Sequence, residues 1–177
     1  LLGFTGPIES LTPDMASGAE LAMKEASDSG VFMSGSKIIS VRGDSTCVDA
    51  AAATATAERL ITSDGVSAIM GADCSGVTTA VLQNVALAKG VVMISRSATS
   101  PALSTSAGNG LFFRTSPSDA RQGQVLAEIL REKGVKSAAI SYTNNDYGKG
   151  LAASIQSNFE NLGGKVTIST SHEDGKG

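Results

Sequence analysis

Gly90-Val91-Val92-Met93-Ile94-Ser95-Arg96-Ser97-Ala98-Thr99-Ser100-Pro101 decides the fold. Its first half is an apolar run too short for a helix and bounded by turn formers, the pattern of a strand buried on both faces of a parallel sheet. Its second half drops at once into hydroxyls and small side chains. Immediately before it, Gly76–Lys89 puts Val77, Val81, Val85 and Ala88 on one helical stripe, and Val66–Gly71 reads as the preceding strand. Strand, helix and strand in that order form one right-handed crossover unit of a parallel sheet.

The same alternation extends in both directions. Toward the start, Leu1–Thr5 reads as a strand running into Gly6-Pro7. Thr12 then reads as an N-cap, with Pro13 in the first turn and Asp14 where its charge suits the helix dipole. Met15, Ala19, Ala22 and Ala26 form that helix's expected apolar face, and Gly30 its C′ residue. Lys37–Arg42 reads as a strand on Ile38, Ile39 and Val41. Asp49–Ser63 reads as a helix burying Ala53, Ala57, Leu60 and Ile61. Toward the end, a short strand is expected at Leu111–Arg114, followed by the turn-rich Thr115-Ser116-Pro117-Ser118. A helix (Asp119–Lys133), a strand (Ser137–Tyr142), a helix (Gly148–Leu162) and a strand (Lys165–Thr170) come next. Such repetition predicts an α/β chain with doubly wound parallel sheets. Residues 1–117 are expected to form a first lobe and 118–177 the beginning of a second. The chain opens inside a strand and closes in the polar Glu173-Asp174-Gly175-Lys176-Gly177, so a piece of a longer polypeptide is expected.

Composition narrows the function. With 41% apolar and 18% charged residues among 177, the chain can bury a core. A net charge of −3 argues against a nucleic-acid partner, which needs a clustered basic surface. No apolar run reaches the roughly 18 residues that span a bilayer. No G-x-x-x-x-G-K-[ST] or G-x-S-x-G motif occurs. His172 is the sole histidine, in a polar tail, so a Ser-His-Asp triad or a histidine-rich metal site lacks parts. No catalytic residue, metal or cofactor is expected. The scattered Asp and Glu residues read mostly as surface or capping charges.

In open α/β sheets ligands bind beyond the carboxyl ends of the strands. Four segments fall there: Gly6–Thr12, Ala72–Gly76, Ser95–Pro101 and Thr143–Gly148. Their hydroxyls, glycines and helix-start amides suit a small carboxylate without any basic side chain. Turn-making and helix capping account for the same composition. Cys47 and Cys74 follow two neighbouring strands at this end. Their spacing fits a disulfide and equally two buried thiols.

Gly6-Pro7, Ser17-Gly18-Ala19-Glu20-Leu21-Ala22, Cys47, Cys74-Ser75-Gly76, Ser97-Ala98-Thr99-Ser100-Pro101, Phe113-Arg114-Thr115-Ser116-Pro117, Gln122-Gly123 and Asp146-Tyr147-Gly148-Lys149-Gly150 occur in an order that is specific where each is weak alone. Together they resemble, over essentially the whole chain, the type I periplasmic binding proteins of branched-chain amino-acid ABC transporters. The resemblance implies two α/β lobes that close on a small polar ligand such as an amino acid, with a membrane permease as partner. It implies an extracytoplasmic location after loss of a signal peptide. It further implies that Ser75 and Thr99 hold the ligand carboxylate, with Ala98 beside them, that the Ser97 carbonyl accepts from the ammonium, and that Tyr147 covers the ligand. Cys47 and Cys74 match the family's disulfide. The chain departs from the family at Leu11, where an aromatic is frequent, and the acid that usually receives the ammonium lies beyond Gly177. A ligand-sensing domain of a receptor or regulator is the competing reading; a doubly wound enzyme for a nucleotide or sugar phosphate is the weaker one.

Overall fold

The computed structural model describes residues 1–173; the expected loop at Asp174–Gly177 lies outside them. Strands β1 (Ala68–Met70), β2 (Val92–Ser95) and β3 (Phe112–Arg114) form a parallel sheet in chain order, with Ala68 opposite Val92 and Met93 opposite Phe112. Strands β4 (Ser137–Thr143) and β5 (Lys165–His172) form a second parallel pair. Between and around them run helices α1 (Thr12–Asp28), α2 (Ala50–Thr62), α3 (Ser75–Val81), α4 (Leu87–Lys89), α5 (Ala102–Thr105), α6 (Asp119–Glu132) and α7 (Asp146–Asn161). The alternation expected from the sequence is present in both sheets.

The first core forms where α2 and α3 cover the β1–β3 sheet. Ala53, Ala57 and Leu60 of α2 meet Val77 and Val81 of α3, above Ile69 and Met93. The alanines bring the helices close, while Leu60 and the valines supply apolar area, each large side chain stabilising by about 1.5–3 kcal/mol on burial. Asp49 starts α2 by accepting from the amides of Ala51 and Ala52. Ser118 caps α6 through Ala120, and Asn145 caps α7 through Gly148. In the second unit α6 lies on α7 so closely that a Cβ on Gly123 would fall 2.2 Å from Ser154 Oγ.

Six local expectations are corrected. Leu1–Thr5 is reduced to one parallel bridge between Leu2 and Asp44, because the chain turns back at Phe4, whose amide donates to the Leu2 carbonyl. Lys37–Arg42 therefore has no strand to pair with and stays out of the sheet, with Ile39 and Val41 exposed. Thr12 is inside α1 rather than capping it; its hydroxyl donates to the Gly3 carbonyl at 2.6 Å. The buried side of α1 is accordingly Thr12, Ala16 and Ser27, and Ala22 faces out. A π turn at Leu82–Ala86 between α3 and α4 rotates the last part of the helix, exposing Ala88 and burying Leu82 and Ala86. Finally, β2 is not buried on both faces: Met93 and Ser95 point inward and Ile94 is exposed.

Candidate functional site

β1 and β2 end side by side, and the loops leaving them grip each other. Asp73, just past β1, is almost fully buried. Its carboxylate accepts from the Gly3 amide at 2.8 Å, the Ser45 hydroxyl at 3.2 Å and the Cys74 amide at 3.1 Å. Its backbone carbonyl accepts from Ser97 Oγ at 3.0 Å. Arg96, just past β2, brings Nη2 to 3.7 Å from Asp73 Oδ2, an ion pair by distance but too long for a hydrogen bond. Arg96 Nε and Nη2 are both buried without a hydrogen-bond partner among the described residues. Burial pulls the guanidinium below its usual range, and the Asp73 charge opposes the shift.

Cys74 precedes α3, and Ser75 is its first residue, 2% exposed. Ser75 Oγ accepts from the Ser100 amide at 3.1 Å. A hydroxyl with one acceptor site filled still has its own proton to donate. The loop after β2 is shaped from below by Ser95, whose Oγ donates to the Ala72 carbonyl at 2.6 Å and accepts from the Ala98 amide at 3.0 Å. Ala98 is fully buried, and Arg114 at the end of β3 donates from Nη1 to the Ala98 carbonyl at 3.2 Å and the Ser100 carbonyl at 2.9 Å. Thr99, between them, is half-buried, and its carbonyl accepts from the Asp119 amide at 2.9 Å.

Asp119 opens α6 and is 1% exposed, with Oδ2 buried and without a hydrogen-bond partner among the described residues. Burial pushes its carboxyl above the ordinary range; the Thr99 hydroxyl and the Arg114 charge pull the other way. Tyr147 is the second residue of α7 and 43% exposed. The adjacent Asp146 carboxylate approaches Gly76 of α3, so the starts of α3 and α7 face one another. Cys47 and Cys74 are joined in a disulfide across 27 residues, which excludes the free-thiol alternative.

Ser75, Ser97, Ala98 and Thr99 are thus brought together at the carboxyl ends of β1 and β2, and Tyr147 stands on the facing helix. Asp73, Arg96 and Asp119 were not singled out by the sequence. A carboxylate at a helix start looks like any capping charge, and only the fold shows that Asp73 and Asp119 are buried. Among the described residues no group of three His, Cys, Asp or Glu side chains could hold a metal ion.

Comparison with known proteins bears on the fold and the family. The Leu/Ile/Val-binding protein of Citrobacter freundii is 32% identical over 165 residues, 93% of this chain and 44% of that protein. The leucine-, isoleucine-, valine-, threonine- and alanine-binding protein of Pseudomonas aeruginosa is also 32% identical over 165 residues, 93% of this chain and 43% of its own. The structure of the branched-chain amino acid transporter substrate-binding protein of Streptococcus pneumoniae, solved with isoleucine, superposes with a TM-score of 0.85 at 28% identity, over 99% of this chain and 49% of that one. The chain therefore spans about half the length of the relatives it matches. The model of the periplasmic binding protein family runs over residues 1–177. With two parallel α/β units and a cysteine bridge, and with the family's model matching it from end to end, the chain belongs to the periplasmic binding protein family.

Proposed function

We propose that the protein is the extracytoplasmic solute-binding component of an ABC importer, holding an amino acid between two lobes and delivering it to a membrane permease. One observation carries this reading. The hydroxyl of Ser75 at the start of α3 is tied to the loop that carries Thr99, and that loop adjoins a buried carboxylate, Asp119, that has an oxygen to spare. These are the two poles that a zwitterionic α-amino-acid head group needs, because a buried charge is tolerated only when paired.

In this reading residues 1–117 make the first lobe and 118–177 begin the second. Ser75 and Thr99 hold the ligand carboxylate at the positive end of α3. The Ser97 carbonyl and Asp119 receive the ammonium from this part of the chain, beside the acid expected beyond Gly177, while Ala98 packs the floor of the loop and Tyr147 covers the ligand from the second lobe. Capture involves no covalent step, in keeping with relatives that are named as binding proteins. The Cys47–Cys74 disulfide supports an oxidising, extracytoplasmic location.

Titration calorimetry of the full-length protein against amino acids and simple carboxylates tests the proposal. Ser75→Ala and Thr99→Ala should each weaken amino-acid binding by about 1–3 kcal/mol, the worth of a hydrogen bond to a charged group. Unchanged affinity in both variants would place the ligand elsewhere.

A further inference from the structure

Helix α7 carries two glycines, Gly148 and Gly150, although glycine is among the least favourable residues in a helix interior. Gly148 answers to its own unit: a Cβ there would fall 2.2 Å from the Thr143 carbonyl oxygen at the end of β4. Gly150 answers to the other unit. A Cβ on it would fall 2.8 Å from Pro101 Cδ and 3.2 Å from Ser100 Oγ, in the loop that follows β2. A proline Cδ is bonded to the backbone nitrogen, so no rotamer change clears it.

The surface that Gly150 meets is held in place. The Ser100 amide donates to Ser75 Oγ at 3.1 Å, and the Ser100 carbonyl accepts from Arg114 Nη1 at 2.9 Å. Asp146, one turn earlier on α7, brings its carboxylate against Gly76 of α3, where a Cβ would lie 3.8 Å from Oδ2. Residues three and four apart share one face of a helix. The face of α7 that carries Asp146, Tyr147 and Gly150 therefore meets the first unit at two points, one on each side of Tyr147. Beyond Gly150 the units part around an open groove of about 510 Å³, walled by Ala102 of α5, Ala120 of α6 and Ala153 of α7. The contact is a local seat and not a continuous core, so the second unit can leave it and regain it.

We infer that Gly150 is a positioning residue for closure: the second unit settles over a bound amino acid because position 150 has no side chain. This rests on the amino-acid reading proposed above, and it makes affinity depend on a contact that does not touch the ligand. A methyl group at 150 would hold α7 off the Ser100–Pro101 seat, and overpacking of such a contact is unfavourable. The closed form then becomes a smaller fraction of the ensemble, and apparent affinity falls with that fraction. In the ligand-free, open form the same methyl group meets nothing of the first unit and favours the helix. The substitution thus weakens binding while leaving the ligand-free fold intact or firmer, which damage to a core does not do.

The test is calorimetry of the full-length protein with the standard amino acids, followed by Gly150→Ala with whichever binds the parent most tightly. Affinity should fall at least about fivefold, mainly through faster release of the ligand. The melting temperature of the ligand-free variant should equal or exceed the parent's. Gly18→Ala, in α1 where a Cβ would meet nothing within 4 Å, is the control for helix stiffening and should bind as the parent does. Pro101→Ala removes the ring that the new methyl group strikes. Gly150→Ala on that background should bind within about twofold of Pro101→Ala alone, the coupling expected of residues in contact. Unchanged affinity in Gly150→Ala overturns the inference and leaves the importer reading standing. So does a lowered ligand-free melting temperature, or a loss that persists undiminished on the Pro101→Ala background. Failure of the parent to bind any amino acid overturns the amino-acid reading itself, and this inference with it.

Discussion

The hydroxyl of Ser75 accepts the amide proton of Ser100 at 3.1 Å, joining the loop that leaves β1 to the loop that leaves β2 across 25 residues of sequence. Both residues are buried. Ser75→Ala is therefore expected to do more than weaken ligand binding. It strands a buried amide, and the ligand-free protein should lose about 1–3 kcal/mol of stability. Urea denaturation of the apo variant reads this directly; an unchanged midpoint would show that the Ser100 amide finds another partner.

The disulfide closes a loop that contains α2 and β1. Thiol titration of the denatured, unreduced protein should find no free thiol. Replacing Cys47 and Cys74 by serine should destabilise by about 3–4 kcal/mol on the loop-entropy relation. The comparison to make is the denaturant midpoint of the double variant against the oxidised protein, and equal midpoints would contradict the expectation.

Gly123 is required by the approach of α6 to α7. A Cβ there would lie 2.2 Å from Ser154 Oγ and 2.7 Å from the Ser154 backbone carbon, so relief by side-chain rotation is not enough. Gly123→Ala, ordinarily favourable in a helix, should cost about 1–3 kcal/mol by overpacking. Pairing it with Ser154→Gly should recover part of the loss, and thermal melts of the two variants check both statements.

Asp119 carries a pH signature. Burial raises its folded-state pKa above the ordinary 3.8. As pH climbs through that value the unfolded chain gives up the proton first, so the native state holds more protons and stability falls until the folded-state pKa is passed. Asp119→Asn should remove this part of the slope and be more stable than the parent at neutral pH, although on the proposed reading it should bind amino acids more weakly. Denaturant midpoints across about pH 3 to 7 would show it; parallel curves for parent and variant would mean that Asp119 does not titrate in this window.

Much of the fold was legible because apolar spacing and turn chemistry agree: Ala53, Ala57 and Leu60 are buried on α2, and Val77, Val81 and Val85 along the helix after β1. The misread places are those where a polar group is satisfied by something distant in sequence. Thr12 and Ser27 are the buried side of α1 because the Thr12 hydroxyl reaches Gly3 and the Ser27 hydroxyl accepts the Ile38 amide at 2.9 Å. Nothing in the local pattern announces either bond. The candidate site divides in the same way. Ser75, Ser97, Ala98, Thr99 and Tyr147 stood in recognisable runs, whereas Asp73 stands out by its burial and its distant donors, and Arg96 and Asp119 by buried atoms without a partner, properties that exist only once the chain is folded.

On the proposed two-lobe reading, the bond from the Asp119 amide to the Thr99 carbonyl lies where the chain passes out of the first lobe. That places it at a fulcrum. A rotation of α6 and α7 about this point, as one block welded at Gly123 and Ser154, would leave Thr99 almost stationary while Tyr147, out along α7, sweeps an arc. The grip on a ligand's head group and the cover over it would then be mechanically separate: the first in place before the swing begins, the second arriving at its end.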